Sequence, residues 1–209
     1  MSAIRILIIE DHSATLDGLT FGLSREEDIE VVGSSENSDE GLALASQLKP
    51  DVIVLDLHLP GSLSPRSMVE AFTALKECRL IIFSAENRLA LVQAILAMGV
   101  SAYLLKTERV SMLATVIRRV MAGETAIMSQ QLKSDCSKIT KAEEEILSML
   151  ANGLRYQEIA DARLTAASTV RKQCDMLQLK LQLESREQLI AWAVRNGYGN
   201  LGQQFQTLK

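Results

Sequence analysis

Five side chains in this sequence have the types and spacing for phosphoryl chemistry. Glu10 and Asp11 follow a short apolar run at residues 4–9, and Asp56 ends the apolar run Val52-Ile53-Val54-Leu55. Ser84 and Lys106 end two further apolar runs, at 80–83 and 102–105. Carboxylates gathered at adjacent strand ends repel one another, and burying them costs free energy unless a cation neutralises them. Oxygen-only ligands suit Mg²⁺, which keeps several waters and recruits phosphate oxygens. Lys106 adds a fixed positive charge and Ser84 a hydroxyl. An aspartate nucleophile, a divalent ion, an ammonium and a hydroxyl are the parts phosphoryl transfer requires. Asp56 would attack phosphorus in line, with Mg²⁺ and Lys106 holding the equatorial oxygens. Each residue alone has a plainer reading: Asp56 as a turn former, Glu10-Asp11 as a helix-start pair, Ser84 as a cap, Lys106 as a solvated charge. Their occurrence in order, on strand–helix units, joins them.

The elements that must position these residues are legible as five repeats of strand then helix. The strands fall at 4–9, 30–33, 52–55, 80–83 and 102–105. The helices fall at 13–23, 38–48, 65–76, 87–98 and 110–121, with Pro65 suited to a first turn and Gly99 and Gly123 to helix ends. Leu16, Leu19, Phe21 and Leu23 are the expected contacts of the first helix, and Leu42, Leu44, Ala45 and Leu48 those of the second. Four-residue apolar strands without a polar face predict a parallel sheet covered on both sides. Ligands of such sheets gather at the carboxyl ends of the strands, where Asp56 sits before Pro60-Gly61.

Residues 125–138 read as a polar linker with room for a short helix, and after it the strands stop. Helices are expected at 141–152, 155–162, 169–181 and 185–194. Thr140 and Glu143 form a capping box, and Val170, Cys174, Leu177 and Leu181 form one apolar stripe. The connection at 163–167 fits a helix-turn-helix, whose later helix enters a major groove. Thr169, Arg171, Lys172 and Gln173 on that helix, with Lys180 further along, are the expected DNA contacts. The tail from Gly197 reads as weakly ordered.

The 209 residues allow two small domains. Residues 1–124 carry 11 Lys/Arg against 17 Asp/Glu, and residues 138–209 carry 10 against 8, so an acidic part precedes a slightly basic one. No run approaches the roughly 20 apolar residues of a membrane span. The start of the chain lacks signal-peptide layout, which implies a cytoplasmic protein. Cys78, Cys136 and Cys174 are odd in number and far apart, which predicts free thiols.

The residues Glu10-Asp11, Asp56 with Leu59-Pro60-Gly61, Ser84-Ala85 and Tyr103-Leu104-Leu105-Lys106 resemble a two-component receiver domain. The resemblance implies a flavodoxin-like, doubly wound five-stranded parallel sheet over 1–124, with Asp56 phosphorylated by a sensor histidine kinase. It also implies Mg²⁺ on Asp11, Asp56 and the backbone carbonyl of His58, with Glu10 acting through water. Ser84 and Tyr103 would form the switch. The side chains of His12 and His58 read as solvated or local hydrogen-bond partners. Tyr103 by itself reads as plain core.

Residues 139–195 resemble the LuxR-type DNA-binding domain through Thr140, Glu143, Ile146-Leu147, Gly153, Glu158-Ile159-Ala160, Thr169-Val170-Arg171, Lys180-Leu181 and Ser185-Arg186 with Leu189, which implies such a domain over 139–197. The pair resembles a response regulator of the NarL/FixJ type, leaving 198–209 as a C-terminal tail. That implies phosphorylation-controlled DNA binding at promoters, a homodimer when phosphorylated, and no enzymatic turnover. Departures cluster on the DNA face, at Gln157, Arg163, Thr165, Ala166, Ala167 and Gln173. They keep a second expectation open: a phospho-switched regulator whose helical part docks a protein.

Overall fold

The structure is a computed structural model describing residues 3–132 and 139–199. It divides into two compact units, one built on a sheet and one of helices; residues 88–91 group with the second, and the described chain passes into it for good at Ser129/Gln130. The first runs β1 (Ile4–Ile9), α1 (Ser13–Leu23), β2 (Ile29–Ser35), α2 (Ser38–Leu48), β3 (Val52–Leu55), α3 (Pro65–Thr73), β4 (Arg79–Ser84), α4 (Leu89–Ala97), β5 (Ala102–Leu105), α5 (Val110–Met121) and β6 (Ile127–Met128). All strands are parallel, in the order β2-β1-β3-β4-β5-β6.

The expected five-stranded sheet therefore has a sixth strand, drawn from the segment read as linker. Ile127 N–H donates to Ser101 O at 3.1 Å, and Ser129 N–H to Tyr103 O at 3.1 Å. Ser129 Oγ in turn accepts from Leu105 N–H at 2.9 Å, so β5 is not left as a bare edge. Two residues are too few to leave a periodic signal, which is why the polar composition around them hid the strand. Residues 130–132 are helical; the remainder of the expected linker helix, with Cys136, lies outside the described residues. Cys78 and Cys174 are free thiols.

Side chains alternate across the strands, and both faces are buried. Ile6, Ile8, Val54, Ile81 and Phe83 pack with Leu19 and Leu23 of α1 and Leu113, Ile117 and Val120 of α5. Leu7, Ile9, Ile53, Leu55 and Ile82, on the opposite face, are equally enclosed. Two helices use other residues than expected. Phe21 is 69% exposed, with the Arg25 guanidinium 5.8 Å from its ring centre. The second helix buries Ser38, Gly41 and Ala45 and leaves its leucines half-exposed. Small residues bring its backbone close to β1, where a Cβ on Gly41 would lie 2.6 Å from Ile9 Cδ1.

The helical unit contains α6 (Lys141–Ala151), α7 (Tyr156–Ala162), α8 (Ala167–Leu181) and α9 (Arg186–Arg195). Ile146, Leu147, Leu150, Ile159, Val170, Cys174, Leu177 and Leu189 form its core. Tyr198, assigned by sequence to the tail, is 4% exposed and stacks on Trp192 at 5.9 Å. An aromatic side chain there gains more by burial than the glycines around it cost. The tail beyond 199 lies outside the described residues.

The capping box is formed: Thr140 Oγ1 accepts from Glu143 N–H, and Glu143 Oε2 accepts from Thr140 N–H at 2.7 Å. Burial raises the Glu143 pKa, but Lys180 and Thr140 outweigh it and hold the carboxyl below its usual range. A depressed folded value contributes stability above the ordinary glutamate pKa, and that stability is lost as pH falls through the folded value. Thr140→Ala should lower urea stability of the helical unit by about 1 kcal/mol at neutral pH. The gap from wild type should shrink in acid below about pH 4.

Candidate functional site

The site lies at the switch in strand order, where β1 and β3 sit side by side and the crossovers leave to opposite faces. Backbone hydrogen bonds continue one residue past the strands and fix the reacting groups. Glu10 N–H donates to Ser35 O at 3.0 Å, Asp56 N–H to Ile9 O at 2.9 Å, and Lys106 N–H to Ser84 O at 2.9 Å. The ends of β1, β2 and β3 are thus tied together, as are those of β4 and β5, along one rim of the sheet.

Glu10 and Asp56 are 1% and 2% exposed. Between them stands Lys106, whose Nζ lies 2.7 Å from Glu10 Oε2 and 2.9 Å from Asp56 Oδ2. Burial would lower the Lys106 pKa; hydrogen bonds and charge from Glu10 and Asp56 outweigh it, and the pKa is raised. Lys106 is charged at neutral pH. Asp56 Oδ1 accepts from Leu57 N–H at 2.7 Å, which orients the carboxylate.

Asp11 is partly exposed, yet its Oδ1 atom is enclosed and accepts no aligned hydrogen bond. Donor atoms of Glu10, Asp11, His12 and Asp56 all lie within 4.8 Å of one another. Three carboxylates against one ammonium leave two uncompensated negative charges in a confined space. A divalent cation with oxygen ligands fits that deficit. This acidic cluster is competent to hold a metal ion.

Behind the rim, Ser84 and Tyr103 both hold the backbone of Glu86. Ser84 is fully buried and its Oγ accepts from Glu86 N–H at 3.3 Å. Tyr103, also fully buried, donates its hydroxyl proton to Glu86 O at 2.8 Å. The ring is therefore core, as its strand position suggests, and its hydroxyl is tied to the loop that follows Ser84.

The loop after Asp56 is held by the start of α2. Ser38 N–H donates to Pro60 O at 3.0 Å, and Ser62 N–H and Oγ donate to the Asp39 carboxylate at 2.9 and 2.8 Å. Gly61 has φ +155°, and a Cβ there would fall 1.9 Å from Ser38 Oγ, so only glycine fits. Ser64 then caps α3 by accepting from Ser67 N–H, with Pro65 in the first turn. Asp39 was not among the residues singled out from sequence, because its partner is a serine 23 positions away.

On the helical unit, Thr169, Arg171 and Lys172 of α8 are exposed, and neither Arg171 nor Lys172 forms an ion pair with a described residue. The other two expected DNA contacts are placed differently. Gln173 is half-buried, and its enclosed Oε1 accepts no hydrogen bond from the described residues. Lys180 Nζ is bound to Glu143 at 2.8 and 3.0 Å. Two of the departures also have intramolecular partners. Arg163 donates to Glu145 and to Ala142 O, and Gln157 Nε2 donates to Asp161 Oδ1 at 2.9 Å. Ala166, where a cap side chain is absent, begins α8 with no side-chain hydrogen bond.

A doubly wound sheet with an acid triad and a lysine at its switch point, followed by a helix-turn-helix unit, defines a receiver joined to a helical effector. Residues 6–118 match the family described as Response regulator receiver domain. Residues 137–193 match the family described as Bacterial regulatory proteins, luxR family. The chain belongs to the response-regulator family, with a receiver and a LuxR-type domain, and is a regulator rather than an enzyme.

It is 31% identical over 200 residues to the transcriptional regulatory protein DesR of Bacillus subtilis, covering 93% of this chain and 98% of that one. It is 30% identical over 201 residues to the nitrate/nitrite response regulator protein NarL of Escherichia coli, covering 90% and 93%. Its fold is similar to that of RcsB from Salmonella typhimurium, with TM-score 0.65, 22% identity, and coverage of 92% and 98%. No helix among the described residues is long and apolar enough to cross a membrane.

Proposed function

We propose that this protein is a cytoplasmic transcription regulator switched by phosphorylation of Asp56. The phosphoryl group comes from a sensor histidine kinase. The observation that carries the reading is the Lys106 ammonium bridging buried Glu10 and Asp56 at the strand switch point. Glu10, Asp11, Asp56 and the His58 carbonyl are the residues for Mg²⁺, which when bound supplies charge neutralisation for the phosphoryl oxygens.

Asp56 forms a bond to phosphorus as the bond to the donor's leaving group breaks. Lys106 stays protonated and meets the negative charge that arrives. Ser84 then turns its hydroxyl to a phosphoryl oxygen and releases Glu86 N–H. Tyr103 is the second switch residue, since its hydroxyl holds the carbonyl of the same residue. Rearrangement of that loop biases an existing equilibrium toward a homodimer competent for promoter DNA.

The domain limits that go with this reading are a receiver at 1–129 that takes in β6, a linker at 130–138, and a DNA-binding domain at 139–198 whose core includes Tyr198. Within it Thr169, Arg171 and Lys172 are the exposed DNA contacts. Gln173 and Lys180 contribute only after leaving their present positions. A solved structure of two RcsB dimers bound to two parallel DNAs, with TM-score 0.64 and 21% identity over 93% of this chain and 99% of that one, is consistent with this use of the fold.

The test is anisotropy on promoter DNA over a salt series, with and without acetyl phosphate and Mg²⁺. Phosphorylation should tighten binding, and affinity should fall steeply with salt as counterions are released. Binding that is absent, or independent of salt, in both states refutes it. A second reading has its own observation. Met176 and Leu179, one turn apart on α8, are 62 and 74% exposed, and such an apolar pair suits a protein partner. Genome-wide occupancy that is absent, with a partner lost on Met176→Lys, would favour that reading.

A further inference from the structure

The loop from Leu57 to Ser64 joins Asp56 to α3 and has no regular structure of its own. Burial does not fix its shape. Leu57 is enclosed, but Pro60, Gly61 and Ser62 are exposed, and His58, Leu59 and Leu63 are only half-buried. Among the described residues, every hydrogen bond to positions 58–63 is made with two neighbours at the start of α2, Ser38 and Asp39. Ser38 donates its N–H and its hydroxyl proton to Pro60 O, at 3.0 and 3.2 Å. Asp39 spends both carboxylate oxygens on one residue. Its Oδ2 accepts from Ser62 N–H at 2.9 Å and its Oδ1 from Ser62 Oγ at 2.8 Å.

The first turn of α2 shares a frame with the reacting groups. Gly41 lets the helix backbone sit close on β1, where an added Cβ would meet Ile9 Cδ1 at 2.6 Å. Ile9 O in turn accepts from Asp56 N–H at 2.9 Å. The clamp therefore sets the loop against the same strand end that fixes Asp56 and leads into Glu10. A charged acceptor that binds through two oxygens is stronger and more directional than a neutral single one.

We propose that Asp39 is a positioning residue for phosphoryl transfer, acting through Ser62 to hold the loop after Asp56 in the shape that the incoming phosphoryl group requires. The inference rests on the reading of Asp56 as the acceptor. In that step an Asp56 oxygen bonds to phosphorus and the bond from phosphorus to the donor oxygen breaks. With acetyl phosphate the leaving group is acetate. Asp39 takes no part in these bond changes. It limits where the backbone beside the acceptor can stand, and transfer rates fall steeply when reacting groups are misplaced by about an ångström.

The experiment follows phosphorylation of the full chain by acetyl phosphate and Mg²⁺, by intact mass over time. Wild type is compared with Asp39→Ala, Asp39→Asn, Ser62→Ala and the double variant Asp39→Ala/Ser62→Ala, and urea unfolding confirms that each is folded. Asp39→Ala should slow the reaction about tenfold. Asp39→Asn should stay within about twofold of wild type, because its amide oxygen accepts from Ser62 N–H and its NH₂ donates to Ser62 Oγ. Ser62→Ala deletes one exposed hydroxyl and should fall between, at about threefold. The double variant should be no slower than Asp39→Ala, since the two residues act as one unit. Asp39→Ala at the wild-type rate, Asp39→Asn as slow as Asp39→Ala, or single losses that multiply in the double variant overturn the inference. Wild type that gains no phosphoryl group overturns the reading of Asp56 instead.

Discussion

Asp56→Asn should abolish the phosphorylated state. With acetyl phosphate and Mg²⁺, wild type should gain the mass of one phosphoryl group, and the variant none over the same period. The reason is local. Asp56 presents Oδ2 to Lys106 and holds Oδ1 on Leu57 N–H, so one carboxylate is oriented for attack and no second buried carboxylate occupies its place. Glu10 is as buried but more heavily engaged: its Oε1 accepts from both His12 N–H and Lys106 and its Oε2 also meets Lys106, whereas each Asp56 oxygen has a single donor. An amide in place of Asp56 keeps the shape and removes the nucleophile. The rise in DNA affinity on adding acetyl phosphate should vanish with it. A variant that still acquires a phosphoryl group, or still responds on DNA, would place the acceptor elsewhere.

The second large effect belongs to Lys106→Met. Removing one partner of a buried ion pair leaves uncompensated charge and costs about 3–5 kcal/mol. Lys106 serves two carboxylates whose side chains are 2% and 1% exposed, while its own is 18% exposed. That residual contact with water puts the expected loss near the lower end, about 3 kcal/mol by urea unfolding without added metal. A divalent cation should recover part of it, because it replaces the missing positive charge at the same carboxylates. The pH dependence has a definite sign. The folded-state pKa is raised, so the stability Lys106 adds is fully present below the ordinary lysine value of about 10.4. It is lost as pH climbs through the folded value. The gap between wild type and variant should therefore stay level to about pH 9 and close only in strong alkali. A variant as stable as wild type in metal-free buffer would mean that the ammonium does not neutralise this cluster.

Much of the site was legible because strand ends are legible. Short apolar runs bounded by Glu10, Asp56, Ser84 and Lys106 mark where each strand stops, and parallel connectivity puts all those stops on one edge. Helix limits set by local chemistry were equally clear. The Thr140–Glu143 box, Pro65 and the glycines at 99 and 123 act within a few residues of themselves. Features that depend on packing were not. Ile127-Met128 becomes strand only because β5 offers an open edge, and Tyr198 becomes core only because Trp192 offers a face.

The sequence by itself determined the order of the elements, the acid–lysine set and the effector class, since these rest on periodicity and on residue chemistry read along the chain. Tertiary structure decided which charges meet. Lys106 reaches Glu10 across 96 positions and Lys180 reaches Glu143 across 37, turning one lysine into the counterion of the phosphate site and the other into a brace within the helical unit. Two lysines that each follow a leucine look alike in one dimension. Coulombic pairing acts through space over a few ångströms, so only the fold tells them apart.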